Sequence, residues 1–308
     1  RPAGAAVTVA ITGATGFVGR AVLEEAARRG LEVRALTRQH QAPRDGVSWV
    51  SGDLADTRAM AELCHGARAV VHIAGVVNAR NAAGFQRGNV KGTQAILAAA
   101  AEAGCQRFVH ISSLAAREPE LSEYGKSKAG AEAAVLASGL DFTIVRPPAI
   151  YGPRDKEVLE LFRFARRGVV PMPPRGAASV IHVADLARLL LDLLPADPAT
   201  SAKLFEPDDG RPGGWPHKLL GRAIGTAVGR RVWAPQLPGV LIAMAAQVDL
   251  LLRGRHARLT PDRARYMVHP DWVSDPANAV PPVLWRPQIA TPDGLAETAH
   301  WYRMAGWL

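Results

Sequence analysis

The chain opens with a short apolar run rich in β-branched residues, AVTVAIT (6–12). A glycine-rich turn follows, then FVGRAVLEEAARRG (17–30), whose apolar positions recur at helical spacing. The alternation continues. LEVRALTR (31–38) predicts a second strand, VSWVSGDLAD (47–56) a third with its turn, and ARAVVHIAG (67–75) a fourth. NVKGTQAILAAAAEAG (89–104) predicts a helix ending at Gly104, QRFVHISS (106–113) a fifth strand and DFTIVRPPAIYG (141–152) a sixth. Near-continuous apolar strands separated by helices and short loops define a parallel sheet covered on both faces. The expected fold class is α/β, a Rossmann-type doubly wound parallel sheet.

After about residue 150 the texture changes. Prolines crowd RGVVPMPPRG (167–176) and LFEPDDGRPGGWP (204–216). SVIHVADLARLLLDLL (179–194) predicts one more strand–helix unit returning to the sheet, with Asp185 capping its helix. From about 203 onward the pattern is helical, broken by proline and rich in tryptophan. The expected organisation is a Rossmann domain over 1–150 plus about 178–200. A smaller, mostly helical substrate lobe takes 151–177 and 201–308.

Composition narrows the classes. Apolar residues at 48% and charged residues at 21% describe a globular chain, not a disordered one. Cys64 and Cys105 form neither a disulfide framework nor a metal spacing, so free thiols and no metal are expected. The longest apolar stretch, LPGVLIAMAAQVDLLL (237–252), contains Gln247 and Asp249 and falls short of the roughly 20 residues of a spanning helix. With no signal peptide pattern at the start, the expected location is cytoplasmic. The formal net charge is +9, but the arginines are spread along the chain and no basic stripe interleaved with aromatics appears. Nucleic acid is therefore not an expected partner; anionic cofactors or lipids fit better.

TGATGFVGR (12–20) sets Gly13, Gly16 and Gly19 between the first strand and the first helix, with Thr15, Phe17 and Val18 in the turn. Glycines there allow a tight turn and close backbone approach, and the helix N-terminus faces a pyrophosphate. This predicts a dinucleotide site. The second strand ends Leu36-Thr37-Arg38, without the carboxylate that would hold the ribose hydroxyls of NAD. Arg38 instead suits a 2′-phosphate, so NADP(H) is favoured over NAD(H). Asp53, with Leu54 beside it, is placed at the adenine; the alternative is a helix cap at Asp53 or Asp56.

YGKSK (124–128) holds two of the chain's six lysines beside one of its four tyrosines. Tyr124 and Lys128, four apart, share one helix face. An ammonium beside a phenol stabilises the phenolate, so Tyr124 can protonate a ketone oxygen or deprotonate an alcohol. Ser113, at the end of the fifth strand, can hydrogen-bond the same oxygen. Lys128 can also hold the nicotinamide ribose.

TGATGFVG, GDL, HIAG, NVKGT, HISS, YGKSK and RPPAIYGP occur in an order that resembles the extended short-chain dehydrogenases/reductases, the epimerase/dehydratase-like branch, over roughly residues 7–200. The resemblance implies Tyr124 as acid/base, Lys128 as its partner and Ser113 as third member, with Ser112 as the adjacent alternative. It implies that Ala74 and Gly75 line the cofactor, that the backbone after Pro147 meets the nicotinamide amide, and that Asn89 braces the central helix. Only ten residues separate Ser113 from Tyr124, fewer than in the sugar epimerases of this branch. The C-terminal part resembles 3β-hydroxysteroid dehydrogenase-like members and the complex I 39-kDa-subunit type. The expectation is an NAD(P)-dependent oxidoreductase acting on a keto or hydroxy group of an apolar small molecule, specifically a long-chain keto-lipid such as a sphingoid or ceramide precursor, with a steroid-like ring as neighbour. The alternatives are a nucleotide-sugar epimerase or reductase with retained NAD, and a non-catalytic NADPH-binding subunit. The 237–252 stretch followed by RGRHAR reads either as a core helix with a solvated basic end or as a peripheral contact with the inner-membrane surface. The family resemblance also leaves room for a homodimer.

Overall fold

The computed structural model describes residues 8–79, 81–254, 257 and 259–308. In chain order its first half holds β1 (Thr8–Thr12), α1 (Phe17–Arg28), β2 (Glu32–Thr37), β3 (Val47–Ser51), α2 (Thr57–Cys64), β4 (Ala69–His72), α3 (Ala82–Phe85), α4 (Gly92–Glu102), β5 (Arg107–Ile111), α5 (Glu123–Leu136) and β6 (Phe142–Val145). Then come β7 (Ala149–Tyr151), α6 (Leu159–Arg166), β8 (Ala177–Ala178), β9 (Val180–His182), α7 (Val183–Asp192), β10 (Lys203–Phe205), β11 (Trp215–Pro216), α8 (His217–Ala227), α9 (Gly239–Arg253), α10 (Pro261–Met267), β12 (Asp271–Trp272) and α11 (Thr291–Met304).

Seven strands form one parallel sheet in the order β10-β6-β5-β4-β1-β2-β3. The chain runs from β1 outward through β2 and β3, then crosses back to place β4 on β1's other side. That reversal makes the carboxyl ends of β1 and β4 the topological switch point, where Thr12 pairs in register with His72. β4 and β5 are buried along their whole length, as near-continuous apolar strands between helical layers should be. Ala10, Val70, Phe108 and Ile144 from the sheet pack with Met60, Ile96, Leu97 and Val135 from the helices in one core.

Four expectations need correction. The run 141–152 is two strands, not one. Pro147 and Pro148 have no N–H to donate to a ladder, so the chain leaves the sheet after Val145, and β7 pairs with β9 in a separate two-stranded sheet. VIH at 180–182 therefore does not return to the main sheet. Its seventh strand is the short β10, from a region expected to be helical. The helix expected over 89–104 begins earlier, at α3 with Asn81 as its N-cap, and passes through a π-helical turn, Gln86–Lys91, into α4. Finally, Asp185 is not a cap. It is buried, and its carboxylate accepts the N–H groups of Gln288 (3.1 Å) and Ile289 (3.0 Å), pinning a distant loop.

The chain divides into two compact units. One comprises the chain up to Pro119, Gly125–Arg146 and Leu186–Phe205; the other comprises Glu120–Tyr124, Pro147–Asp185 and Glu206–Leu308. The second has its own core around Tyr151, Phe162, Trp215 and Tyr302. In it α9 is not a core helix: only Ile242 and Ala246 are buried. Arg255, His256 and Arg258 of the basic RGRHAR cluster lie outside the described residues. Among the described residues no helix is long and apolar enough to cross a membrane. Both cysteines are free and buried.

Candidate active site

The glycine turn is built by close contact. Gly13 has φ +74°, and a Cβ added there would lie 2.6 Å from the Ala74 nitrogen. Gly19 leaves even less room: its Cβ would overlap the Gly13 carbonyl. The turn is thus pressed onto the start of α1 and onto the loop after β4. Gly16 caps α1 with no side chain on the first N–H groups, and no acidic residue stands in that helix's first turn. Bare amides at a helix N-terminus with no competing carboxylate suit an anionic pyrophosphate. Thr15 gives its carbonyl to Arg20 Nε at 3.0 Å, while Phe17 and Val18, half-buried, open the helix.

A chain of hydrogen bonds holds the facing loop. The Ala74 N–H donates to Thr12 Oγ1 (3.2 Å), which lies 2.7 Å from His72 Nδ1. His72 Nε2 lies 3.0 Å from Thr93 Oγ1, and that hydroxyl donates to the Asn89 carbonyl at 2.6 Å. With the Thr93 proton already spent, His72 must donate from Nε2. Burial pushes its pKa down to about 3, so the ring is neutral and Nδ1 accepts the Thr12 hydroxyl. Asn89, in the π-helical turn, closes the chain. Its Oδ1 accepts the Val76 N–H (2.6 Å), and its Nδ2 donates to the Val76 carbonyl (3.0 Å) and to Ser127 Oγ (2.8 Å). Asn89 thus ties the loop after β4 to α5, and π-helical turns of this kind concentrate at functional sites.

Lys128 sits at the centre of a second network. It is buried, and its Nζ donates to the Ile111 carbonyl at 2.7 Å at the end of β5. A Cβ on Gly75 would come within 3.7 Å of that Nζ, so the lysine lies directly beneath the loop expected to line a cofactor. Burial pushes the Lys128 pKa down to about 8, against the opposing pull of Glu132. The ammonium can thus exchange its proton near neutral pH. Glu132, one turn further along α5, is buried and held by Nε and one Nη of Arg146 (2.8 and 2.6 Å) and by the Ser112 hydroxyl. Ser112 is committed to that carboxylate. Among the described residues Ser113 Oγ only accepts the Ala115 N–H (3.2 Å), which leaves its own hydrogen to donate elsewhere.

Tyr124, Lys128 and Glu132 follow one face of α5 at i, i+4 and i+8. Tyr124 is half-buried, its ring 6.0 Å from that of Tyr266. The Asp262 carboxylate accepts the N–H groups of Glu123 (2.8 Å) and Tyr124 (3.3 Å) and so supplies the start of α5 with a cap from another helix. Asp262 could not be found from sequence, because 138 positions separate it from Tyr124. Glu132 carried a signal, its i+4 spacing from Lys128. Further out, Arg38 is exposed at the end of β2, and Asp53 is exposed after β3 with Oδ1 on the Ala55 N–H (2.8 Å). Asp56, not Asp53, caps α2. Leu54 packs on Gly92 of α4, and Pro147 is buried.

One buried group has no such partners. His110, next to Ile111 and stacked 5.4 Å from His72, has no hydrogen bond at either ring nitrogen among the described residues. Burial, the Lys128 charge and His72 all hold its pKa well below the ordinary value of 6.5. A histidine kept neutral in the fold contributes full stability above 6.5, and that contribution is lost as pH falls and the unfolded chain takes up the proton. Replacing His110 by Leu will therefore move the midpoint of acid unfolding down by roughly half a pH unit or more. An unchanged midpoint in circular dichroism would show that His110 is not a source of acid lability.

This site and sheet define an NAD(P)-dependent enzyme, and the comparisons agree. The chain belongs to the extended, epimerase/dehydratase-like short-chain dehydrogenases/reductases: a family model described as NAD(P)H-binding matches residues 13–197. It is 39% identical over 310 residues to a ceramide reductase of Caulobacter vibrioides, covering 97% of this chain and 96% of that protein. It is 30% identical to the 4-hydroxy-2-methyl-3-oxo-4-farnesyl-3,4-dihydroquinoline-1-oxide ketoreductase of Stigmatella aurantiaca, over 83% of this chain and 89% of the relative. The Bordetella bronchiseptica enzyme WbmG, solved in complex with NAD, shares the fold with a TM-score of 0.75 at 19% identity, covering 99% of this chain and 97% of that one.

Proposed function

We propose that this enzyme interconverts a ketone and an alcohol on a long-chain lipid of the sphingoid or ceramide type, with NADP(H) as its preferred cofactor. The observation that carries the reading is the likeness to the ceramide reductase over 97% of the chain. That match extends well past residue 197, where the cofactor-binding family model ends, into the part of the chain expected to hold the substrate. The two reductases reported above are both named for apolar ketone or lipid substrates.

The chain's residues then divide the work. Gly13, Gly16 and Gly19 would hold the pyrophosphate, Arg38 the 2′-phosphate, Asp53 and Leu54 the adenine end, and Ala74, Gly75 and the backbone after Pro147 the nicotinamide end. When bound, the cofactor supplies or accepts the hydride. The Tyr124 hydroxyl donates its proton to the carbonyl oxygen as the carbonyl carbon is reduced, and takes it back in the other direction. Ser113 donates a hydrogen bond to the same oxygen, and Lys128 holds the ribose and favours the phenolate. Ser112 and Arg146 hold Glu132, whose negative charge favours the ammonium form of Lys128. A lipid substrate of this size resides in a bilayer, and peripheral contact with a membrane surface fits that substrate. A homodimer through α4 and α5 fits the shallow groove lined by Leu97, Ala98, Ala101 and Ala134.

Cofactor preference is tested by thermal unfolding. NADPH will raise the midpoint more than NADH does, and in Arg38→Ala the difference between the two will vanish, because only native-state binding stabilises. An equal or larger shift with NADH in the wild-type protein would remove Arg38 from the 2′-phosphate.

A further inference from the structure

Fourteen large apolar side chains are exposed among the described residues, and seven of them belong to α9. Val240, Met244, Leu251 and Leu252 are 71, 60, 83 and 80% accessible. The helix holds to its own unit by one narrow stripe, Ile242 and Ala246 against Ala264 of α10 with Leu237, Leu259 and Val268 around them. Apart from the half-buried Gly239 and Asp249, the rest of it faces out. A solvated helix face is ordinarily polar, yet here Gln247 and Arg253 are the only exposed polar residues. An apolar surface this concentrated marks a place something covers.

The charge around it says what. Residues 217–270 contain nine Lys and Arg and two acidic residues, so this stretch carries seven of the chain's nine net positive charges. Both acids are engaged within the fold. Asp249 accepts the Leu259 N–H at 2.9 Å and pairs with Arg253 at 3.2 Å, and Asp262 caps α5 and pairs with Arg265 at 3.1 Å. Just before α9, Arg230 and Arg231 are exposed beside Trp233, itself 69% accessible. Arginines, an indole and an aliphatic helix face make the composition of an interfacial helix, in which the apolar side enters the acyl boundary and the cations meet the headgroups. At fifteen residues α9 is about 22 Å long, too short to cross a hydrocarbon core of about 30 Å but suited to lie in its plane. A second copy would bring no free acid of this stretch to the exposed Arg230 and Arg231, since both of its carboxylates are engaged, whereas an anionic headgroup would meet them.

We infer that α9, with Arg230, Arg231 and Trp233, is a docking surface for an anionic lipid bilayer. The inference rests on exposure and charge, so it stands or falls apart from the keto-lipid reading. Flotation of the full chain with vesicles tests it. Binding to phosphatidylcholine vesicles containing about one-third phosphatidylglycerol will exceed binding to phosphatidylcholine alone by at least about tenfold. It will fall when salt is raised to roughly 0.5 M. The variant Met244→Glu/Leu251→Glu/Leu252→Glu, altered only at exposed positions, will lose at least about tenfold in bound fraction with its thermal midpoint held within about 2 °C. Arg230→Gln/Arg231→Gln will lower the preference for anionic vesicles and leave the weak binding to neutral ones. Three results would overturn the inference: no flotation of the wild-type chain with either vesicle, equal flotation of the wild-type chain and the triple variant, or a wild-type dimer that the triple variant converts to monomer without loss of flotation. The last would assign the face to a second copy.

Discussion

Tyr124→Phe will lower turnover by about 10³-fold while the protein remains folded. The substitution removes one hydroxyl from a half-buried ring. It leaves the backbone N–H groups of Glu123 and Tyr124 on the Asp262 carboxylate and the ring beside Tyr266. What disappears is the proton that a ketone oxygen needs as it becomes an alcohol, and a positioned acid of this kind is worth about 10²–10⁴ in rate. Binding of the dinucleotide should persist, because the glycine turn does not depend on the phenol. Cofactor-induced thermal shifts in the variant check that half, and single-turnover rates check the other. A Phe variant retaining more than about a third of the wild-type rate would strip Tyr124 of its assigned role.

Gly13→Ala will cost both stability and cofactor binding. Two effects add. At φ +74° a side chain strains the backbone by roughly 1–2 kcal/mol. A Cβ 2.6 Å from the Ala74 nitrogen then forces β1's end away from the loop after β4, an overpacking cost of about 1–3 kcal/mol. Together these lower the midpoint by roughly 5–15 °C, and the displaced turn no longer accepts a dinucleotide, so the cofactor-induced shift vanishes. Gly30→Ala separates the two effects. Its φ is +65°, but a Cβ there meets nothing within 4 Å. It should lose only the strain contribution and keep its cofactor response. Equal losses in the two variants would show that contact with Ala74 does not matter.

The sheet was legible in the sequence because each strand of the main sheet up to β6 is a compact apolar run ended by glycine or a turn. The exceptions share a cause. β7, β9 and β10 are three residues each, too short for any period to show, so 141–152 reads as one strand and 180–182 reads as a return to the sheet. Proline at 147 and 148 was the available sign of the break. Of the candidate site, the glycine turn and the shared helix face of Tyr124 and Lys128 were legible because their spacing is local. The residues that hold them were not. Asp262 reaches α5 from another helix, His72 and Thr93 meet only when β4 and α4 pack, and Ser112 differs from Ser113 only in facing Glu132. The exposed face of α9 was hidden for the opposite reason. Its composition is that of a core helix, and only the fold shows that, among the described residues, just one narrow stripe of it is covered.

The most direct measurement is to mix the purified protein with NADPH and a detergent-dispersed long-chain lipid bearing a ketone, following nicotinamide absorbance and the alcohol product together. The account predicts one NADPH consumed per alcohol formed, slower consumption with NADH, and only background with Tyr124→Phe. NADPH left unchanged by lipid ketones, with conversion of a nucleotide-diphosphate sugar under the same conditions, would contradict it.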